Sequence, residues 1–181
     1  MTAAFTHVLP WTEQEYLALG ETADRVELFD GSLYVTPAPT PRHQTISSEL
    51  YVALRLAARA AGLRAHQAVN VRLKPGRMPI PDLVVASPTD PDDPVVPGEK
   101  VKLVCEIVSP SNAAADKVLK MHYYAAAGIE WYLIVEQPTG TLRLYRLEGD
   151  KYTEHSVTEV GQVLRLIEPV AAEIDPASLL P

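Results

Sequence analysis

Two short apolar runs, each interrupted by one carboxylate, constrain this chain more than any other feature. Pro81-Asp82-Leu83-Val84-Val85 carries Asp82, and Val101-Lys102-Leu103-Val104-Cys105-Glu106-Ile107-Val108 carries Glu106. Both have the length and composition of buried strands. A charge inside such a run is unfavourable unless it is paired or holds a metal. Two of them on consecutive strands require a compensating cation. In the second run Val101, Leu103, Cys105 and Ile107 alternate with Val104 and Val108. Apolar residues on both faces mark a central strand, with Glu106 on the face of Val104 and Val108.

The rest of the chain supplies elements around this pair. Thr12-Glu13-Gln14-Glu15 has the capping-box pattern, so a short helix is expected from about Thr12 to Leu19, stopped by Gly20. Residues 25–35 read as two strands joined at Asp30-Gly31, a strong hairpin signal, with Glu27 in the first strand. Thr40-Pro41 is a natural N-cap and N1 pair. The helix it opens is expected to reach Ala61 and stop at Gly62, burying Ile46, Leu50, Ala53, Leu54, Ala57 and Ala61. His43 and Gln44 lie in its first turn. Residues 66–74 alternate like a half-buried strand. Residues 87–98, with four prolines and three aspartates, read as a solvated loop. Ser109-Pro110-Ser111-Asn112 caps a second long helix, closed by Gly128. Strands are expected over 129–135 and 142–147. A short antiparallel edge should follow in the tail, with Tyr152, Val157, Val163, Leu164 and Leu166.

Composition serves to exclude. At 181 residues, 47 % hydrophobic and 22 % charged, the chain fits one globular domain over residues 1–181. The single cysteine, Cys105, excludes an intrachain disulfide and any multi-cysteine zinc site. A buried thiol suits a reducing cytoplasm, the expected location. The start lacks the basic and apolar segments of a signal peptide. No apolar run approaches the roughly 20 residues that span a bilayer, so no membrane contact is expected. The net charge of −7 argues against a dedicated metal-free nucleic-acid binder, whose affinity comes mostly from neutralising phosphate. An enzyme that touches DNA locally stays open. P-loop, dinucleotide-binding and HExxH zinc motifs are absent from the sequence.

The candidate site residues each have a plainer reading beside the functional one. Asp82 follows Pro81, where its carboxylate can project from a strand end into a cleft or simply cap the strand. Glu106 could pair with a buried arginine instead of a metal. Lys120 lies four residues after Asp116 and four before Tyr124, on one helix face. A surface Asp116–Lys120 pair would account for it, and Lys117 is a rival on a different face. Taken together the residues say more. Hard oxygen ligands from Asp82 and Glu106 suit Mg²⁺ or Mn²⁺. Such a metal activates water and neutralises phosphoryl charge. A lysine beside that water can orient it or offset developing negative charge. The chemistry indicated is metal-assisted phosphodiester hydrolysis. His43 and Glu27 could lie in the same cleft, or be a first-turn histidine and a strand-edge salt bridge.

These residues also carry a resemblance. Arg25-Val-Glu-Leu-Phe-Asp-Gly, His43-Gln44, Pro81-Asp82-Leu-Val-Val, Glu106-Ile-Val-Ser-Pro-Ser-Asn, Asp116-x3-Lys120-x3-Tyr124 and Ala127-Gly128-Ile-Glu-Trp-Tyr-Leu-Ile-Val resemble the Uma2 family. That family belongs to the PD-(D/E)xK nuclease superfamily, and the match runs from about Trp11 to Leu166. The resemblance implies an α/β (α+β) restriction-endonuclease-like core. Its central mixed β-sheet would be flanked by helices, with antiparallel N- and C-terminal strands. It implies a Mg²⁺- or Mn²⁺-dependent endonuclease acting on DNA, with metal held by Asp82 and Glu106; the Ile107 carbonyl is a further candidate ligand. The superfamily's usual lysine position, two residues after the second acid, is Val108 here; the Uma2 pattern offers Lys120 instead. Glu27 and His43 match further motif positions, and Glu49 is a position where some superfamily members carry an acid. A homodimer is expected, because duplex cleavage needs two sites or two visits. A non-catalytic binding or assembly protein on a nuclease scaffold is the alternative, and a hydrolase of small phosphorylated substrates a third reading.

Overall fold

The structure is a computed structural model that describes residues 10–109 and 113–181, the side chains of 113–117 excepted. In chain order the first elements are α1 (Glu13–Leu17), β1 (Arg25–Phe29), β2 (Ser32–Thr36), α2 (Pro41–Ala60), β3 (Arg64–Gln67), β4 (Asn70–Arg72), β5 (Arg77–Met78), β6 (Leu83–Ala86) and β7 (Val95–Pro97). There follow β8 (Val101–Val108), α3 (Ala113–Ala126), β9 (Trp131–Glu136), β10 (Leu142–Glu148), β11 (Lys151–Thr158), β12 (Leu164–Leu166), β13 (Ala172–Ile174) and α4 (Pro176–Leu179).

Local chemistry starts the fold. The Glu15 N–H donates to Thr12 Oγ1 at 3.2 Å, and the Thr12 N–H donates back to the Glu15 carboxylate at 2.9 Å, which closes the capping box of α1. The β1–β2 hairpin pairs Phe29 with Ser32 across Asp30 (φ 49°) and Gly31 (φ 84°). Two left-handed residues in a two-residue loop are what a type I′ turn requires. Gly31 is doubly constrained, since a Cβ there would lie 2.4 Å from the Pro10 Cβ. Gly31→Ala is expected to lower stability by about 2 kcal/mol, read as a fall in urea midpoint at unchanged slope.

The main sheet has six strands in the order β11-β10-β9-β8-β6-β3. It is mixed: β8 and β9 run parallel, joined by α3, and the other neighbours are antiparallel. The central position of β8 follows from its two apolar faces. Leu103, Cys105 and Ile107 pack with Ile46, Leu50 and Leu54 of α2. Val104 packs on the opposite side with Tyr124 of α3, Tyr132 and Ile134. A smaller sheet, β2-β1-β5, buries Leu28 and Met78 against Tyr16 of α1.

Several expectations need correction. The strand expected over 66–74 is broken at Ala68, whose φ of 50° is uncommon for a residue with a Cβ. Before it β3 pairs with β6; after it β4 pairs in parallel with β7. The loop 87–98 thus contains a strand, with Val95 and Val96 buried. The Val95 N–H donates to the Asp93 carboxylate at 2.9 Å, so one aspartate there anchors a strand start. On α2 the buried stripe holds Ala58, while Ala61 is exposed because the helix has ended at Ala60. The tail forms more than an edge. β11 is the edge of the main sheet, whereas Leu164, Leu166, Ile174 and Leu179 of β12, β13 and α4 join the core beneath α2. The cap expected at Pro110–Asn112, and the Asp116 and Lys117 side chains, lie outside the described residues. No helix among the described residues is long and apolar enough to cross a membrane.

Candidate active site

The ladder between β6 and β8 pairs Val84 with Val104 and Leu83 with Cys105. One further step of that register sets Asp82 opposite Glu106. Antiparallel pairing thereby brings together two carboxylates 24 positions apart in the chain. They meet at the C-terminal end of β8, just before the crossover to α3, where open α/β sheets commonly bind ligands.

Asp82 is 3 % exposed and well supplied with donors. Arg25 Nη1 donates to Oδ1 at 2.8 Å, and the Ile107 N–H donates to Oδ2 at 2.8 Å. His43 Nε2 lies 3.2 Å from Oδ2. Burial alone would raise the pKa of Asp82, but the His43 hydrogen bond and the Arg25 charge hold it at about 2. His43 sits in the first turn of α2, where its N–H donates to the Thr40 cap at 3.3 Å. Its Nδ1 is buried without a partner.

Glu106 is 6 % exposed. The Tyr124 hydroxyl donates to Oε1 at 2.6 Å, and Lys120 Nζ lies 3.4 Å from the same oxygen. Lys120 and Tyr124 share one face of α3 because they are four residues apart. Lys120 Nζ is also 3.1 Å from Glu27 Oε1, which accepts the Ile80 N–H at 2.7 Å. Burial pushes the Glu106 carboxyl up to about 7; Lys120 opposes the rise, while Asp82 and Glu27 add to it. Burial, then the neighbouring Glu106 charge, drives the Tyr124 hydroxyl well above its ordinary value.

The small sheet supplies the third side. Alternation on β1 sends Arg25, Glu27 and Phe29 to one face. Arg25 reaches Asp82, Glu27 reaches Lys120, and the Phe29 ring stacks on Tyr123 of α3 at 5.4 Å. The Tyr123 hydroxyl donates to Asp30 at 3.1 Å, and the Arg77 guanidinium lies 3.9 Å over the Tyr123 ring. These contacts tie the hairpin to α3 and fix Glu27 against Lys120. The cluster opens on a cavity of about 330 Å³ walled by the segment from Thr36 to Thr40.

The site candidates read from the sequence, Glu27, His43, Asp82, Glu106, Ile107 and Lys120, lie together here. Val108 lines the cavity, and Lys120 reaches Glu106 from the neighbouring helix. Glu49 is exposed on α2. Sequence reasoning missed Arg25 as the partner of Asp82 and the Tyr124 hydroxyl as the donor to Glu106. The signal for Arg25 was its spacing of two from Glu27, which places both on one strand face.

Among the described residues, no group of three or more His, Cys, Asp or Glu is arranged to hold a metal ion. The site instead offers two hard carboxylates beside a cavity with room for water. That donor set fits Mg²⁺ or Mn²⁺, which take few protein ligands and keep several waters. Burial, the first cause of the raised Glu106 pKa, is a penalty that a divalent ion beside the carboxylate would offset. Ile107 turns its N–H to Asp82, and a strand residue presents its carbonyl to the same flank.

The Uma2 family, described as "Putative restriction endonuclease", matches residues 13–177. A solved structure described as "a putative nuclease belonging to DUF820", from Anabaena variabilis ATCC 29413, superposes with a TM-score of 0.74 at 20 % identity. The superposition covers 94 % of this chain and 97 % of that one. At that identity the likeness is one of fold, and it agrees with the mixed α/β core described above. No curated protein matches the chain.

Proposed function

The chain belongs to the Uma2 family of putative restriction endonucleases, and on that premise we propose that it is a divalent-metal-dependent endonuclease hydrolysing phosphodiester bonds in DNA. The observation that carries the proposal is that Asp82, one residue before the β6–β8 ladder, and Glu106 line one cavity, with Lys120 Nζ 3.4 Å from Glu106. Mg²⁺ or Mn²⁺ held by Asp82, Glu106 and the Ile107 carbonyl would supply an acidified water and neutralise phosphoryl charge. Lys120, fixed between two carboxylates, orients the attacking water and offsets negative charge on the phosphate. Glu27 keeps the ammonium from collapsing onto Glu106, and Tyr124 fixes the Glu106 carboxylate. His43 and the Ile107 N–H hold Asp82 in place. The reading extends to one domain over residues 1–181, acting as a cytoplasmic homodimer that visits both strands of a duplex.

Cleavage of plasmid DNA tests it. Wild type is expected to cut with Mg²⁺ or Mn²⁺, and Asp82→Ala or Glu106→Ala to lose at least ~100-fold in rate while staying folded. Equal cleavage by wild type and both variants would overturn the proposal. One observation favours the second reading, a binding protein on a nuclease scaffold: Asp82 is already engaged by Arg25 and His43, in a chain of net charge −7. Under that reading Mn²⁺ does not bind.

A further inference from the structure

We propose that Arg25 is the phosphodiester-binding residue of this site, that it competes with a divalent cation for Asp82 Oδ1, and that metal and phosphodiester therefore bind cooperatively. The inference rests on the nuclease reading above and adds a residue and a coupling to it.

The geometry of Asp82 carries the competition. Its Oδ2 accepts the Ile107 N–H at 2.8 Å and faces His43 at 3.2 Å. Its Oδ1 accepts Arg25 Nη1 at 2.8 Å. A cation ligated by Asp82 through Oδ1 meets the guanidinium at the same oxygen. Two positive centres on one buried carboxylate oxygen repel, so one displaces the other.

The displaced guanidinium then needs a new anion, because a buried unpaired charge is unfavourable. Among the described residues, three basic side chains line the cavity: Arg25, His43 and Lys120. Lys120 is 6 % exposed and held by two carboxylates; His43 is 14 % exposed and held by Asp82. Arg25, at 23 %, is the most exposed of the three and sits at the start of β1, lining the cavity. Its planar fork matches two phosphate oxygens in a way an ammonium cannot. Arg25 thus exchanges a carboxylate for a phosphate when the metal arrives. By linkage the phosphodiester must strengthen metal binding by the same factor that metal strengthens phosphodiester binding. A local cation released only on metal loading also suits a chain of net charge −7, which cannot hold DNA by its overall field.

Calorimetric titration with Mn²⁺ separates these terms. The titrations use wild type, Arg25→Gln and Arg25→Lys, with or without saturating thymidylyl-thymidine, and with its uncharged methylphosphonate analogue as control. Without the dinucleotide, Arg25→Gln is expected to bind Mn²⁺ about tenfold more tightly than wild type, the scale of one charge-assisted hydrogen bond lost as competition. With the dinucleotide, wild type gains about tenfold in Mn²⁺ affinity; Arg25→Gln gains nothing, and the methylphosphonate enhances neither. Arg25→Lys, which keeps the charge but loses the fork, falls between. A residue that merely buttresses Asp82 would give the opposite sign, with weaker Mn²⁺ binding in Arg25→Gln. That result, or no enhancement of wild type by the dinucleotide, overturns the inference. If Arg25→Gln does not fold, Arg25→Lys decides: dinucleotide enhancement as large as in wild type overturns the role of Arg25, and a smaller one supports it. Mn²⁺ binding that Asp82→Ala abolishes but Arg25→Gln leaves unchanged refutes the role of Arg25 and spares the nuclease reading. No Mn²⁺ binding by wild type refutes both.

Discussion

Lys120→Met is expected to lose at least ~100-fold in cleavage rate and, in the same variant, about 3–5 kcal/mol of stability. Both effects come from one ammonium. Lys120 Nζ lies 3.1 Å from Glu27 and 3.4 Å from Glu106, and all three residues are buried. Removing the cation leaves two buried carboxylates, each still accepting a hydrogen bond but without the ammonium charge between them. Urea unfolding in metal-free buffer measures the stability, and plasmid cleavage with Mg²⁺ measures the activity. Adding Glu27→Gln to Lys120→Met should recover most of the stability and none of the cleavage, because it removes repulsion without restoring the ammonium beside the water. A Lys120→Met protein as stable as wild type would contradict the buried pairing.

Glu106→Gln should separate the two properties in the opposite sense. Cleavage falls by at least ~100-fold, yet the metal-free protein at pH 8 becomes more stable. The folded Glu106 carboxyl is pushed from 4.5 up to about 7, by burial first and by Asp82 and Glu27 after it. The folded state therefore binds the Glu106 proton more tightly than the unfolded chain. The stability from that proton is fully present below about pH 4.5 and is lost as pH rises through about 7, some ~3 kcal/mol in all. Glutamine keeps an oxygen for the Tyr124 hydroxyl and has no proton to lose. Unfolding curves at pH 5 and pH 8 should show wild type weakening relative to Glu106→Gln as pH rises. Parallel pH dependence in the two proteins would contradict a buried, proton-hungry Glu106. Mn²⁺ should restore wild type at pH 8 and leave Glu106→Gln little changed.

Asp82 and Glu106 were legible because a carboxylate in an apolar run has few innocent explanations. The strand that holds Glu106, the hairpin turn at Asp30-Gly31 and the capping box at Thr12 all follow from local rules, and each formed as read. Arg25 was hidden because an arginine at the start of a hairpin strand has a plain solvent-facing reading. Its partner, 57 residues away, depends on how the small sheet docks on the large one. β7 was hidden for a related reason. The prolines and aspartates of the stretch 87–98 around it suit a loop, and only its pairing with β4 and the burial of Val95 make it a strand. The break at Ala68 carries no sequence signal, since alanine has no preference for a left-handed backbone. Lys120 lay between these cases. Spacing put it on the Tyr124 face of α3, but only the packing of α3 on β8 and β1 brings its ammonium between Glu27 and Glu106.

The most direct measurement is calorimetric titration of the metal-free protein with Mn²⁺ at pH 8. Wild type should bind one ion per chain, Asp82→Ala none, and Glu106→Gln at least about tenfold more weakly, the scale of one lost charged ligand. Absence of binding in wild type, or binding in Glu106→Gln with wild-type affinity, would mean that Asp82 and Glu106 do not form a metal centre.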